Sequence, residues 1–83
     1  MATVAEARRA QRLRTFKGGL IMFGVASPIG CLIRNLSTTG AALEVEREQG
    51  IPDAFTLLIK PEFLKRKCRV TWRAGKRMGV QFR

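Results

Sequence analysis

The 83 residues include no histidine and no tyrosine, only two cysteines, one tryptophan and six acidic residues. Without histidine the chain has no side chain that ordinarily titrates near neutrality, so Ser–His and Cys–His nucleophile pairs and histidine-ligated zinc sites are excluded. Cys31 and Cys68 form neither a CxxC pair nor a disulfide framework; they read as reduced core thiols of a cytoplasmic protein. The six carboxylates make no clustered pair along the sequence, which removes paired-carboxylate acid–base chemistry. No glycine loop has a phosphate-cradling spacing, and no apolar run approaches the ~20 residues of a membrane-spanning helix. Five cations up to Lys17, then an apolar stretch over residues 19–26 and Cys31, imitate a secretory or lipoprotein signal. Gly19, Gly24 and Pro28 interrupt that imitation.

What the chain has in excess is positive charge. Sixteen Lys and Arg against six Asp and Glu leave +10 on 9.3 kDa. The length accommodates one small core, and the charge makes the domain attractive to nucleic acids, nucleotides, acidic proteins and anionic membrane surfaces. Eleven of the sixteen cations are arginine, whose planar fork grips phosphate or a guanine edge in two places.

Residues 1–14 carry a capping-box pattern, Thr3-x-x-Glu6, with small and sparse apolar residues, and read as a short flexible or helical N-terminal arm. From there the period is two. Residues 16–25 read as a strand bent by glycine, 27–30 as a turn, 31–36 as a second strand and 41–45 as a third, with Ala41, Leu43 and Val45 on its buried face. A loop over 46–53 leads to a fourth strand in which Phe55, Leu57 and Ile59 face inward, ending at Pro61. The run Lys65-Arg66-Lys67 reads as a solvated loop. In the fifth strand Cys68, Val70 and Trp72 are expected inward, with Arg69 and Arg73 together on the polar face. A core Trp72 would cost ~3–5 kcal/mol of stability on truncation to alanine. A turn over 74–77 leads to a sixth strand with Met78, Val80 and Phe82 inward. Six short strands and no long helix predict an all-β fold, a small six-stranded antiparallel barrel over residues 15–83 preceded by the arm over 1–14.

Two clusters stand out as binding candidates. Arg8 and Arg12, with Arg9 between them, stand four residues apart, close enough for two forks to meet one anion. Asn35, Ser37 and Gly40 fall between two strands, where an amide and a hydroxyl could read a guanine edge, or could form a turn that satisfies its own backbone.

The order RxxxR (Arg8, Arg12) before a first strand, then NxSxxG (Asn35, Ser37, Gly40), resembles the PilZ domain family. The ending Val70-Thr71-Trp72-Arg73, turn, Met78-Gly79-Val80-Gln81-Phe82 resembles the family's closing hairpin. The resemblance implies a barrel that binds the bacterial second messenger cyclic di-GMP without catalysing a reaction. Arg8 and Arg12 match the arginines that grip the ligand's phosphates and guanine faces, and Asn35, Ser37 and Gly40 match the motif that meets a guanine from the barrel. Asn in place of Asp lies within the family's pattern, although an amide is neutral and donates as well as accepts. No cofactor or metal beyond the ligand is implied. The partners would be cyclic di-GMP and an unidentified protein effector, without membrane insertion, and ligand binding would order the arm against the barrel. Two alternatives remain open at this stage: a divergent adaptor that binds no nucleotide, and a small basic barrel binding single-stranded nucleic acid.

Overall fold

A computed structural model describes residues 13–46 and 50–83. Six strands run in sequence: β1 (Leu13–Met22), β2 (Ile29–Leu36), β3 (Gly40–Val45), β4 (Ala54–Ile59), β5 (Leu64–Ala74) and β6 (Arg77–Phe82). They pair antiparallel throughout and close into a barrel in the order β1-β2-β3-β6-β5-β4. The all-β, six-stranded barrel read from the alternation is the fold of the chain. Arg8, Arg9 and Arg12, the arginines expected to hold the ligand, lie outside the described residues.

The alternating strands build the core directly. Ala41, Leu43 and Val45 of β3 and Phe55, Leu57 and Ile59 of β4 point inward, joined by Ile21, Ile33, Cys68, Met78 and Val80. Burying one Leu or Ile side chain contributes roughly 1.5–3 kcal/mol, so these residues carry most of the fold's driving force. No polar side chain is buried among the described residues. Among them there is also no cluster of three or more metal-ligating groups, and no helix long and apolar enough to cross a membrane.

The two cysteines are free. Burial, reinforced by repulsion from Cys68 and only partly offset by Lys60, pushes the Cys31 thiol up to about 12. Burial likewise pushes Cys68 up to about 11, against the favourable charge of Arg66 and a backbone hydrogen bond at Leu57. Thiols held protonated in this way are poor nucleophiles, and both behave as small apolar groups.

Three expectations about β5 fail, for two distinct reasons. The run Lys65-Arg66-Lys67 is strand rather than loop: Lys65 pairs with Leu58, Arg66 with Leu57 and Lys67 with Thr56. Strand β4 needs a ladder partner on this side, and the pairing uses backbone groups, so Lys65 and Lys67 remain exposed on the outer wall. Trp72 is not in the core. The register shifts between Val70, which pairs with Val80, and Trp72, which pairs with Gly79, so Thr71 is an extra residue in β5. One inserted residue reverses the faces beyond it. Trp72 therefore stands on the outer wall, 46% exposed.

The same bulge separates Arg69 from Arg73. Arg69 stays exposed on the outer wall, whereas Arg73 pairs with Met78 on the inward phase at the end of the barrel. There its guanidinium donates to the Ile51 carbonyl at 2.8 Å and to Asp53 Oδ1 at 2.9 Å, tying down the loop that precedes β4.

Candidate functional site

The NxSxxG residues occupy the connection between β2 and β3, and they divide into two jobs. Ser37 folds the turn. Its Oγ accepts from the Thr39 and Gly40 N–H groups, both at 3.1 Å, and lies 3.2 Å from both Thr39 Oγ1 and the Gly40 carbonyl. The Ser37 N–H closes the turn onto the Gly40 carbonyl at 2.9 Å. A hydroxyl so engaged satisfies its own backbone, the second of the two roles open to it. Gly40 is needed for close approach: a Cβ there would collide with the Val80 carbonyl of β6. Its pairing with Gln81 and the bond from the Phe82 N–H to the Thr39 carbonyl, at 2.8 Å, fasten the turn to the closing strand.

Asn35 does something else. Between Ile33, which pairs with Leu43, and Asn35, which pairs with Ala42, strand β2 has one residue more than β3. Ile33 points into the core, so strict alternation would send Asn35 inward as well. The extra residue, Arg34, instead leaves Asn35 on the outer wall opposite Ala42, and returns Leu36 to the inner side opposite Ala41. Arg34 also faces outward, where it donates to Glu44 Oε1 at 2.9 Å, an oxygen that Arg77 approaches at 3.8 Å.

The two bulges end on one row. Asn35 pairs with Ala42, Ala42 with Gly79, and Gly79 with Trp72, across β2, β3, β6 and β5. An amide thus stands at one end, an indole at the other, and two small residues lie between. The indole lies over Gly79 so closely that a Cβ there would overlap it. The outcome is a groove of about 310 Å³, lined by Trp72, Thr71, Ala42, Gln81 and the Ser37–Gly40 turn. In the neighbouring row Gly40 pairs with Gln81 and Gln81 with Arg69, which sets a cation at the groove's rim. A ring stacked on Trp72 would find hydrogen-bonding groups and a guanidinium around it, the composition suited to a planar, polar, anionic ligand.

A second opening, about 220 Å³, lies at the same end of the barrel, on the other side of the turn, between Leu36, Ser37, Ile59, Phe82, Lys17 and Arg66. The Arg66 guanidinium sits 5.8 Å from the centroid of the Phe82 ring. The chain also enters the barrel here. Leu13, the first residue of β1, pairs with Leu36, next to Ser37, and Arg14 pairs with Asn35.

The structure brings Asn35, Ser37 and Gly40 into one corner. It adds Trp72, the groove residue that the sequence reading assigned to the core. The signal that could have found it is Gly79: a glycine in mid-strand β6 marks close approach by another group, and the approaching group is the indole.

No curated protein matches the chain. The family model of the PilZ domain matches residues 6–83, which takes in both motifs, all six strands and the closing hairpin. Domains of this kind are cyclic di-GMP-binding or related adaptor modules rather than enzymes. With its barrel order, its NxSxxG turn and a match over nearly its whole length, the chain belongs to the PilZ domain family.

Proposed function

We propose that the protein is a cyclic di-GMP receptor that relays the ligand's presence to a protein partner in the cytoplasm. The observation that supports the reading is the pairing of Leu13 with Leu36 and of Arg14 with Asn35, because it sets the start of β1 beside the NxSxxG turn. Arg8, Arg9 and Arg12 then supply the planar cations for two phosphodiester charges. Asn35 offers its amide to a guanine edge, and Trp72 a stacking face. Ser37 and Gly40 act indirectly, by holding the turn that follows Asn35.

Charge-assisted hydrogen bonds contribute roughly 1.5–3 kcal/mol each, and stacking on an aromatic side chain about 1–3 kcal/mol per base. A handful of such contacts suffices for micromolar affinity even after the cost of ordering the ligand and the arm. Once occupied, the corner presents arm, ligand and turn as one composite surface, and that surface is what a partner would recognise.

Calorimetric titration of the purified protein with cyclic di-GMP at ~0.15 M salt tests the reading, salt being fixed because phosphate contacts are screened. Saturable binding is expected, weakened by ~2–3 kcal/mol for each of Arg8→Ala and Arg12→Ala, with thermal stability unchanged. Absence of heat with the dinucleotide, together with salt-sensitive binding of a single-stranded oligonucleotide, would reject it.

A further inference from the structure

The β4–β5 turn, at the barrel end where β1 begins, has features that neither the core nor the groove uses. Residues 60–63 link Ile59 to Leu64, which pair with each other. Phe63 has φ of 61°, a left-handed backbone that a bulky residue rarely adopts and that costs about 1–2 kcal/mol. The strain purchases no packing, since Phe63 is 55% exposed and its neighbour Leu64 is 49% exposed. These are two of the four exposed large apolar side chains among the described residues, and they are adjacent.

Around them cations outnumber the single acid. Of the five lysines in the chain, Lys60, Lys65 and Lys67 flank this turn, all exposed. Lys65, Lys67 and Arg69 alternate along the outer side of β5, spaced by about 6.6–6.8 Å, opposite Leu58, Thr56 and Ala54 of β4. No acid stands across from them. Glu62, inside the turn, is the acidic residue of this corner and leaves it net cationic. The acids Glu44 and Asp53 are engaged elsewhere, with Arg34 and with Arg73. The turn is also held in place. The Lys60 N–H donates to the Gly18 carbonyl of β1 at 3.0 Å, and the Lys60 stem lies against Gly18.

We infer that this turn is a docking surface for an anionic lipid bilayer, with Phe63 and Leu64 entering the headgroup boundary and Lys60, Lys65, Lys67 and Arg69 meeting lipid phosphates. The chemistry selects the occupant. Two exposed apolar side chains at a turn suit a fluid interface that closes around them, and lysines, as mobile point charges, suit headgroups with no fixed geometry. A single-stranded nucleic acid would want a flat aromatic within the cationic row, whereas here Leu64 cannot stack and Phe63 stands at the row's end. The chain lies on the membrane and does not cross it. No residue of the turn lines the Trp72 groove, while Leu64 borders the opening beside Ser37 and Arg69 stands at the groove's rim, so the two surfaces adjoin.

The test is co-sedimentation of the full chain with vesicles of phosphatidylcholine alone and of phosphatidylcholine mixed with phosphatidylglycerol, at low and high salt. Binding to the anionic vesicles only, lost at high salt, is expected. Lys65→Gln with Lys67→Gln should lower partitioning about thirtyfold, from about 1 kcal/mol per lysine near an anionic surface. Phe63→Gly with Leu64→Ser should lower it about tenfold. Glycine accepts the left-handed backbone better than phenylalanine, which offsets the packing lost at the half-buried Leu64, and a melting temperature equal to the parent's excludes unfolding as the cause of lost binding. Equal binding to both vesicle types, full retention in the Phe63→Gly, Leu64→Ser variant, or indifference to vesicles with oligonucleotide binding through the same lysines would each overturn the proposal.

Discussion

Strands β3 and β4 alternate without interruption, and every inward position in them is core; strands β2 and β5 each contain one residue more than a neighbouring strand, and beyond that residue they display side chains to the outside. The regular strands make the barrel stable, and the bulged ones make its surface specific. An added residue reverses the faces that follow it, so Asn35 and Trp72 come to the outer wall without any change in the residues that precede them. Bulges of this kind are how a small closed sheet, with no free edge, finds positions for binding groups.

The comparison breaks most visibly at a regular strand. Leu57→Ala in β4 removes a fully buried side chain and should cost about 2–5 kcal/mol of unfolding free energy, read by denaturant melts, while ligand affinity of the folded fraction is unchanged. Trp72→Ala in β5 should give the reverse pattern. Stability should fall by about 1 kcal/mol or less, as for a half-exposed side chain, and affinity for cyclic di-GMP by ~1–3 kcal/mol. A stability loss as large as that of Leu57→Ala would return the indole to a core role. The effect that vanishes at neutral pH concerns the thiols. Because burial raises Cys31 from its ordinary value of 9.0 to about 12, the unfolded chain releases the proton first. The folded state binds more protons between those values, so stability is complete below pH 9 and declines as pH rises towards 12. Cys31→Ala should lessen that decline in melts run across the interval, the remainder coming from Cys68, which burial raises to about 11.

Most of the barrel can be read along the chain because burial on one face writes a period of two into the residues themselves. Phe55, Leu57 and Ile59 are an instance, and so are Met78 and Val80. The bulges are written nowhere locally. Thr71 becomes surplus only because Val80 and Gly79 lie opposite, across a pairing that the residues around Thr71 do not encode. For the same reason Arg69 and Arg73 look like companions in sequence and lie on opposite faces of the strand. The Lys65-Arg66-Lys67 run misleads in another way: charge reports exposure to water, and an outer wall is as wet as a loop. In the site, Ser37 and Gly40 were legible as a motif, yet their work is done through backbone contacts that only the folded turn reveals. The alternation that placed Trp72 in the core is sound up to Val70 and fails at the next residue.

The seam between β1 and β4 bears on how the molecule forms. It joins Gly19 to Ile59, so the first strand made cannot find its second neighbour until the middle of the chain has been laid down. Local hairpins such as β1–β2 and β5–β6 are free to form early, but the ring shuts only through contacts between distant stretches, which places assembly among the slower small domains, on a scale of roughly milliseconds to seconds. Until then β1 and β4 each expose an unpaired edge, and the positive charge spread over the nascent wall keeps those edges from finding one another in different copies.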